Sequence, residues 1–516
     1  MGNSEEKFAG GRPEPPIVDD PPALRGRLAW LTPKRLAFFV IGWMILLSLG
    51  SLFISNPFQS EPSAAATPDF WHVMYLHGLL IAMVGLLALL ACQVLSLRSV
   101  HTRVWITVGV VVATLAVGIG GFFDTRVPGA EVAMWTQIVG FFALDEILIA
   151  LIIGMALEAR RRADVARTLP FWVALAGAVS MFAAAVMGHL AGWLLEFGAW
   201  PAPLAAYLKF QGLDVGTFTS NLIGSHSHDM VVAVMAVLIP IAARQFGTEG
   251  FGRAARTAIR VGLSLVGVGI VGTTVMYLAM GFTTWGPPTL FQSAGGTNGI
   301  AGDDIVTGMT VMLGGVVTLV ALAAGRGLLR PLRVAAATAW VASFATVVVG
   351  GYAIEMHETF FGAGHAAPGA ANDAVFTWLH QDVGFFLLPS VVLIMLVVQR
   401  YVAPHLRARI AATTVAGIAV TFVGAMLWIF SDPSLHGPGY FITMVGLVVL
   451  GAALVASTWF GLLDRRALRV TVILPASWAL PRLRLALLAS DGRSDGPGAA
   501  RRTSWDDLSD DETNTS

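Results

Sequence analysis

The sequence predicts an all-α integral membrane protein of twelve transmembrane helices, on three observations. The chain of 516 residues is 56% hydrophobic and only 12% charged, whereas a soluble domain carries about 25% charged residues. Its mean hydropathy is +0.72, so lipid is the solvent it suits. Apolar runs long enough to cross ~30 Å of hydrocarbon as helices recur along it. The loops between them alternate between basic and charge-poor, as membrane topology requires.

In chain order, residues 1–32 form a polar, Pro-, Gly- and Glu-rich start expected to be a disordered cytosolic tail, since no apolar core follows a short basic stretch there. Residues 33–464 form the membrane domain. Its runs fall near 35–54, 71–97, 103–123, 132–157, 169–195, 217–243, 257–284, 303–325, 333–357, 374–399, 409–430 and 438–463. Residues 465–516 begin basic, turn acidic around Asp506, Asp507, Asp510, Asp511 and Glu512, and are expected to be mostly disordered.

Orientation follows from arginine. The connections after spans 2, 4, 6, 8 and 10 carry Arg98 and Arg103; Arg160, Arg161, Arg162 and Arg167; Arg244, Arg253 and Arg256; Arg326 and Arg330; Arg400 and Arg407. The opposite connections hold only Arg126 and Lys209. Both termini are therefore expected in the cytoplasm, with the chain a multi-pass protein of the cell membrane. A net charge of +0 points to no nucleic-acid partner. A single cysteine, Cys92, makes a cysteine-based zinc or iron–sulfur site very weakly supported and an intramolecular disulfide impossible.

Self-similarity suggests a four-helix unit used three times. Spans 4 and 8 each carry an acidic pair, Asp145–Glu146 well inside span 4 and Asp303–Asp304 at the outer edge of span 8. Spans 5 and 9 end in "MGHLAGWLLEFG" and "IEMHETFFGAG". Spans 2, 6 and 10 each carry histidine soon after entering from the outer side: His77, His226 with His228, and His380.

Of the eleven histidines, His101 and His405 fall in basic inner loops and His436 in an outer loop, and these read as solvated. His365 also falls in an outer loop. His72, His189 and His357 lie near outer helix ends, on the same side as the four in-span histidines. Ionisable groups at membrane depth are costly and face a bundle interior or a cavity, and neutral imidazole is a common ligand of haem iron and copper. A packing histidine satisfied by a hydrogen bond is the plainer alternative at any single position. His226 and His228 diverge by about 200° on a helix, so they serve two cofactors, or one ligates while the other meets a neighbour. Asp229 and Asp382 follow closely and would orient an imidazole or carry protons. Asp145 and Glu146 would bind cations, carry protons, or pair with Arg126. Trp71, Trp135, Trp193, Trp200 and Trp378 read as interfacial anchors.

This pattern resembles the haem–copper oxidase superfamily, the catalytic subunit of terminal oxidases and the large subunit of nitric oxide reductases. The resemblance implies twelve helices in three arcs of four, haems toward the outer face held from helices 2 and 10, and further metal ligands on helices 6 and 7. His77 in "LHGLLIAM" is similar to the family's helix-2 axial ligand of the low-spin haem. His380 in "WLHQDVGFF" lies where helix 10 carries a His-x-His pair, with Asp382 at the second position. His226 or His228 lies where helix 6 ligates the second metal. Span 7 has no histidine, and span 6 has no tyrosine to match the family's crosslinked one. The resemblance therefore implies haem, of type b, with the copper or iron centre lost or rebuilt. The NnrS family, multi-helix with haem and copper, is a second similar group.

The expected function is a haem-binding membrane redox protein, an oxidoreductase acting on oxygen or nitric oxide if turnover survives, with a redox partner subunit as its expected partner beside the lipid bilayer. Two alternatives stand. One is a proton-coupled transporter using Asp145, Glu146, Asp229 and Asp382. The other is a copper- or zinc-binding sensor or assembly factor, with His226, His228, His189 and His357 as ligands.

Overall fold

The computed structural model describes residues 32–54, 76–126, 131–162, 168–197, 202–248, 250–283, 307–355, 379–430 and 436–463. Both tails lie outside these residues, as do His72, His357, His365, Asp303–Asp304, Trp71, Trp200 and Trp378. The described elements are helical: α1 Pro33–Ile54, α2 Gly78–Val94, α3 Val100–Arg126, α4 Glu131–Arg161, α5 Leu169–Phe197, α6 Ala202–Gln211, α7 Val215–Phe246, α8 Arg253–Phe282, α9 Met309–Ala323, α10 Arg330–Glu355, α11 Leu388–Tyr401, α12 Pro404–Phe430 and α13 His436–Leu463. A π-helical segment, Leu379–Leu387, leads into α11. In hydrocarbon every backbone group must bond within the chain, which selects helices for these sequences.

Among the described residues, nine helices are long and apolar enough to cross a membrane, and α2 and α9 are shorter apolar helices. The chain is thus an all-α, multi-pass membrane protein. Each of the twelve apolar runs contains one described helix. Several helices extend past their run: His101, His405 and His436 belong to α3, α12 and α13 rather than to loops. Hydropathy marks the hydrocarbon core, whereas backbone bonding continues into the polar interface. The helix α6 is not visible in hydropathy at all. It docks by burying Leu208 and by the Tyr207 hydroxyl, which donates to Phe282 O at the end of α8.

Three helices occupy the centre. Every residue of α2 from Gly78 to Cys92 is buried. The apolar stretch of α7 is 83% buried and that of α11 78%, against 33% for α13. α2, α7 and α11 also touch one another. Helices near in sequence pack in pairs: α3 on α4, α5 on the central α7, α8 on α9 and α12 on α13. Small residues set the closeness of these pairs. A Cβ on Gly262 would lie 2.6 Å from Gly314 O, and one on Gly446 2.3 Å from Thr421 N.

The central helices are tied at their basic ends by three glutamines, one on each. Gln245 Nε2 donates to Leu396 O at 2.6 Å, and Gln399 Nε2 donates to Gln245 O at 3.1 Å. The Tyr401 hydroxyl donates to Gln93 Oε1 at 3.0 Å. The buried Arg333 closes α7: it donates to Phe246 O at 2.6 Å, and its guanidinium lies 5.0 Å from the centre of the Phe251 ring. At the other end of α7, Asp214 caps the helix, accepting from Thr217 N at 2.8 Å and from the Thr217 hydroxyl at 2.6 Å. These bonds hold its carboxyl below the usual range, the Thr217 hydroxyl contributing most.

Pro389 accounts for the wide-turned segment before α11. Proline supplies no N–H to the preceding turn and crowds its carbonyl, and π turns are one way a helix absorbs this. Side chains satisfy the loosened carbonyls: Ser343 Oγ donates to Gly384 O and Ser390 Oγ to Phe386 O, both at 2.6 Å.

Candidate functional site

The four in-span histidines converge on one half of the bundle, away from the glutamine clasp. His77 sits just before α2, His226 and His228 lie on α7, and His380 lies in the π segment. The His77 and His226 ring centres are 6.3 Å apart, with planes inclined by 32°. Phe141 of α4 meets the His77 ring edge-on at 5.2 Å.

His228 turns the other way, as the helical step between positions two apart requires. Its ring stacks on Tyr277 of α8, at 6.1 Å and 20°. The span without histidine thus contributes a tyrosine, which was legible only as an aromatic in an apolar run.

Three of the four rings are held by their Nδ1. His226 Nδ1 lies 2.8 Å from Ala184 O, His228 Nδ1 2.9 Å from Gly224 O, and His380 Nδ1 2.9 Å from Val347 O. A carbonyl only accepts, so Nδ1 carries the proton in each neutral ring and Nε2 keeps its lone pair. This is the form that ligates a metal through Nε2. Gly188 makes room for His226: a Cβ there would lie 2.5 Å from the imidazole.

The sequence pointed to Asp229 and Asp382 as ring-orienting acceptors, but the acceptors for these three rings are backbone carbonyls. A side chain one or two residues along a helix is rotated by about 100–200°, so it faces another neighbour. Asp229, fully buried, accepts from Ser180 Oγ at 2.6 Å, and the Thr274 hydroxyl lies 2.7 Å from Ser180 Oγ. Asp229, Ser180 and Thr274 thus join α7, α5 and α8 through a buried polar chain. Asp382 is buried in the π segment.

Asp145 takes the orienting role at a different histidine. Its Oδ2 lies 2.9 Å from His189 Nδ1, from α4 to α5. Phe141 and Phe142 flank His189 at 6.1 and 5.5 Å. The suggested partner Arg126 has its side chain outside the described residues. Glu146, the next residue, is exposed on the outer face of α4, so the acidic pair does not act as one unit. Trp135 and Trp193 are exposed near the same end, as interfacial anchors would be.

Among the described residues, no three His, Cys, Asp or Glu side chains are grouped to hold a metal ion. His357, one of the expected ligands, lies outside them. No family model, no curated protein and no solved structure matches the chain.

Proposed function

We propose that the protein is a haem-binding membrane redox protein whose iron is held between His77 and His226. The observation that carries this reading is the pair of imidazoles whose ring centres lie 6.3 Å apart, with the His226 proton fixed on Nδ1. Two imidazoles that share one metal at about 2 Å each would have ring centres up to roughly 6 Å apart. The donor set therefore fits iron with two imidazole ligands. Haem bound there supplies one-electron chemistry, its potential tuned by the second-shell bonds and the apolar surroundings. Ala184 O orients His226, Gly188 gives it space, and the Phe141 ring covers His77. His228, stacked on Tyr277, lies on the opposite side of α7 and is left for a further metal.

The wider reading is a twelve-span protein of the cell membrane built from three four-helix units, with both termini cytoplasmic. It is supported by one helix in each apolar run and by the unbroken alternation of basic loops. The mutual packing of α2, α7 and α11, each with an in-span or adjoining histidine and a basic-end glutamine, supports the repeat. A redox partner subunit remains part of the proposal, as does type b haem.

A proton-coupled transporter is the second reading, favoured by one observation, the buried Asp229–Ser180–Thr274 chain. The test is a reduced-minus-oxidised visible spectrum of protein purified from a haem-competent host. Sharp α and Soret bands, lost in His77→Ala and in His226→Ala, support the haem reading. A featureless spectrum after haem supplementation sinks it, and proton-dependent flux in vesicles would then favour the carrier.

A further inference from the structure

Away from the histidines, α9, α10 and α12 enclose an apolar cleft of about 440 Å³ that opens sideways from the bundle. Its walls include Val320 and Ala323 of α9, Ala337 and Val341 of α10, and Ile418 and Phe422 of α12. The volume is within the roughly 300–1,000 Å³ of small-molecule sites. Alanines on all three walls deepen it, because none fills the space between the helices.

Two of the three lining helices carry arginine at their basic ends. Val334, Ala337, Val341 and Ala345 form a stripe along α10 at helical spacing, and Arg330 heads that stripe one turn before Val334. Arg326 follows the end of α9 that contributes Ala323. Both arginines are exposed. From Arg330 to Ala345 is 15 residues, about 22 Å at 1.5 Å each, comparable with one leaflet of a bilayer about 40–45 Å thick with its headgroups.

We infer that this cleft is a binding site for one anionic phospholipid, with an acyl chain between α9, α10 and α12 and its phosphate against Arg326 and Arg330. The occupant follows from the combination. The walls are apolar apart from Thr338, and Val320, Val334 and Val341 among them are exposed on the outside of the bundle, where hydrocarbon is the solvent, while Arg326 follows α9 and Arg330 opens α10 on the basic side. A guanidinium matches phosphate through paired N–H donors. The inference is independent of any haem.

The test is native mass spectrometry of the purified full chain, delipidated and titrated with phosphatidylglycerol or phosphatidylcholine. One phosphatidylglycerol should be retained in preference to phosphatidylcholine. Arg330→Glu should weaken that preference by about fivefold or more, the scale of one basic residue at a lipid surface. Arg253→Glu, exposed on the same basic side but on a helix that does not line the cleft, should leave it unchanged. Ala337→Phe should lower retention of both lipids by filling the cleft. Equal retention of the two lipids, an Arg253→Glu effect as large as that of Arg330→Glu, or preferential retention of an isoprenoid quinone would overturn the inference. Thermal unfolding of each variant separates loss of the lipid from loss of the fold.

Discussion

Asp145 Oδ2 stands 2.9 Å from His189 Nδ1, joining α4 to α5 beside the His77–His226 pair. The carboxylate fixes the proton of His189 on Nδ1 and the ring between Phe141 and Phe142. Both side chains keep some exposure, 16% for Asp145 and 29% for His189. Asp145→Leu takes the charged acceptor away from His189, at a cost of about 1–3 kcal/mol. Thermal unfolding should show Asp145→Asn, which can still accept from Nδ1, retaining most of that stability. An equal loss in the two variants would mean the hydrogen bond is not what matters.

The haem proposal divides the histidines in a testable way. His77→Ala and His226→Ala should each abolish the low-spin spectrum, whereas His380→Ala should leave it. Electron paramagnetic resonance of the oxidised protein reads the axial pair directly. A low-spin signal that survives His226→Ala but not His380→Ala would place the iron between spans 2 and 10 instead.

Gly188 tests the packing behind His226. A Cβ there would lie 2.5 Å from the ring, closer than two such atoms come without movement. Gly188→Ala should displace the imidazole and cost about 1–3 kcal/mol, as overpacking does. The measurements are the unfolding temperature and the Soret position. An unchanged Soret band alongside lost stability would argue that His226 does not touch the chromophore.

Arg333 should matter to stability and not to any chromophore. It is buried and donates to Phe246 O while facing Phe251. Arg333→Met leaves that carbonyl without its charged donor, at a cost of about 2 kcal/mol. Denaturation in detergent checks this, with the visible spectrum expected to be unaltered.

Asp214 gives the pH dependence. Its carboxyl is held below the usual range by Thr217, first through the hydroxyl and then through the backbone N–H. A lowered value in the folded state means the cap stabilises at pH above the ordinary aspartate range. That contribution fades as pH falls through this range to the lowered value. Asp214→Ala should therefore lower the unfolding temperature at neutral pH, and the difference from wild type should shrink in acid. A difference that persists in strong acid would show the effect does not depend on the charge.

Sequence alone determined the class and much of the layout. Hydropathy is a local average over about 20 residues, so it located the apolar runs in which helices form. Basic residues alternate from loop to loop, and the two-residue step from His226 to His228 already dictated opposite directions. Tertiary structure decided the partners. The carbonyl that orients His226 lies 42 residues away in the chain and the one that orients His380 lies 33 away. Asp145 reaches His189 across two helices, and three separate helices bound the apolar cleft. Such contacts depend on how each helix is rotated about its axis and on where small residues let two backbones close. Both are properties of the packed bundle, so a pattern read along one strand of sequence does not contain them.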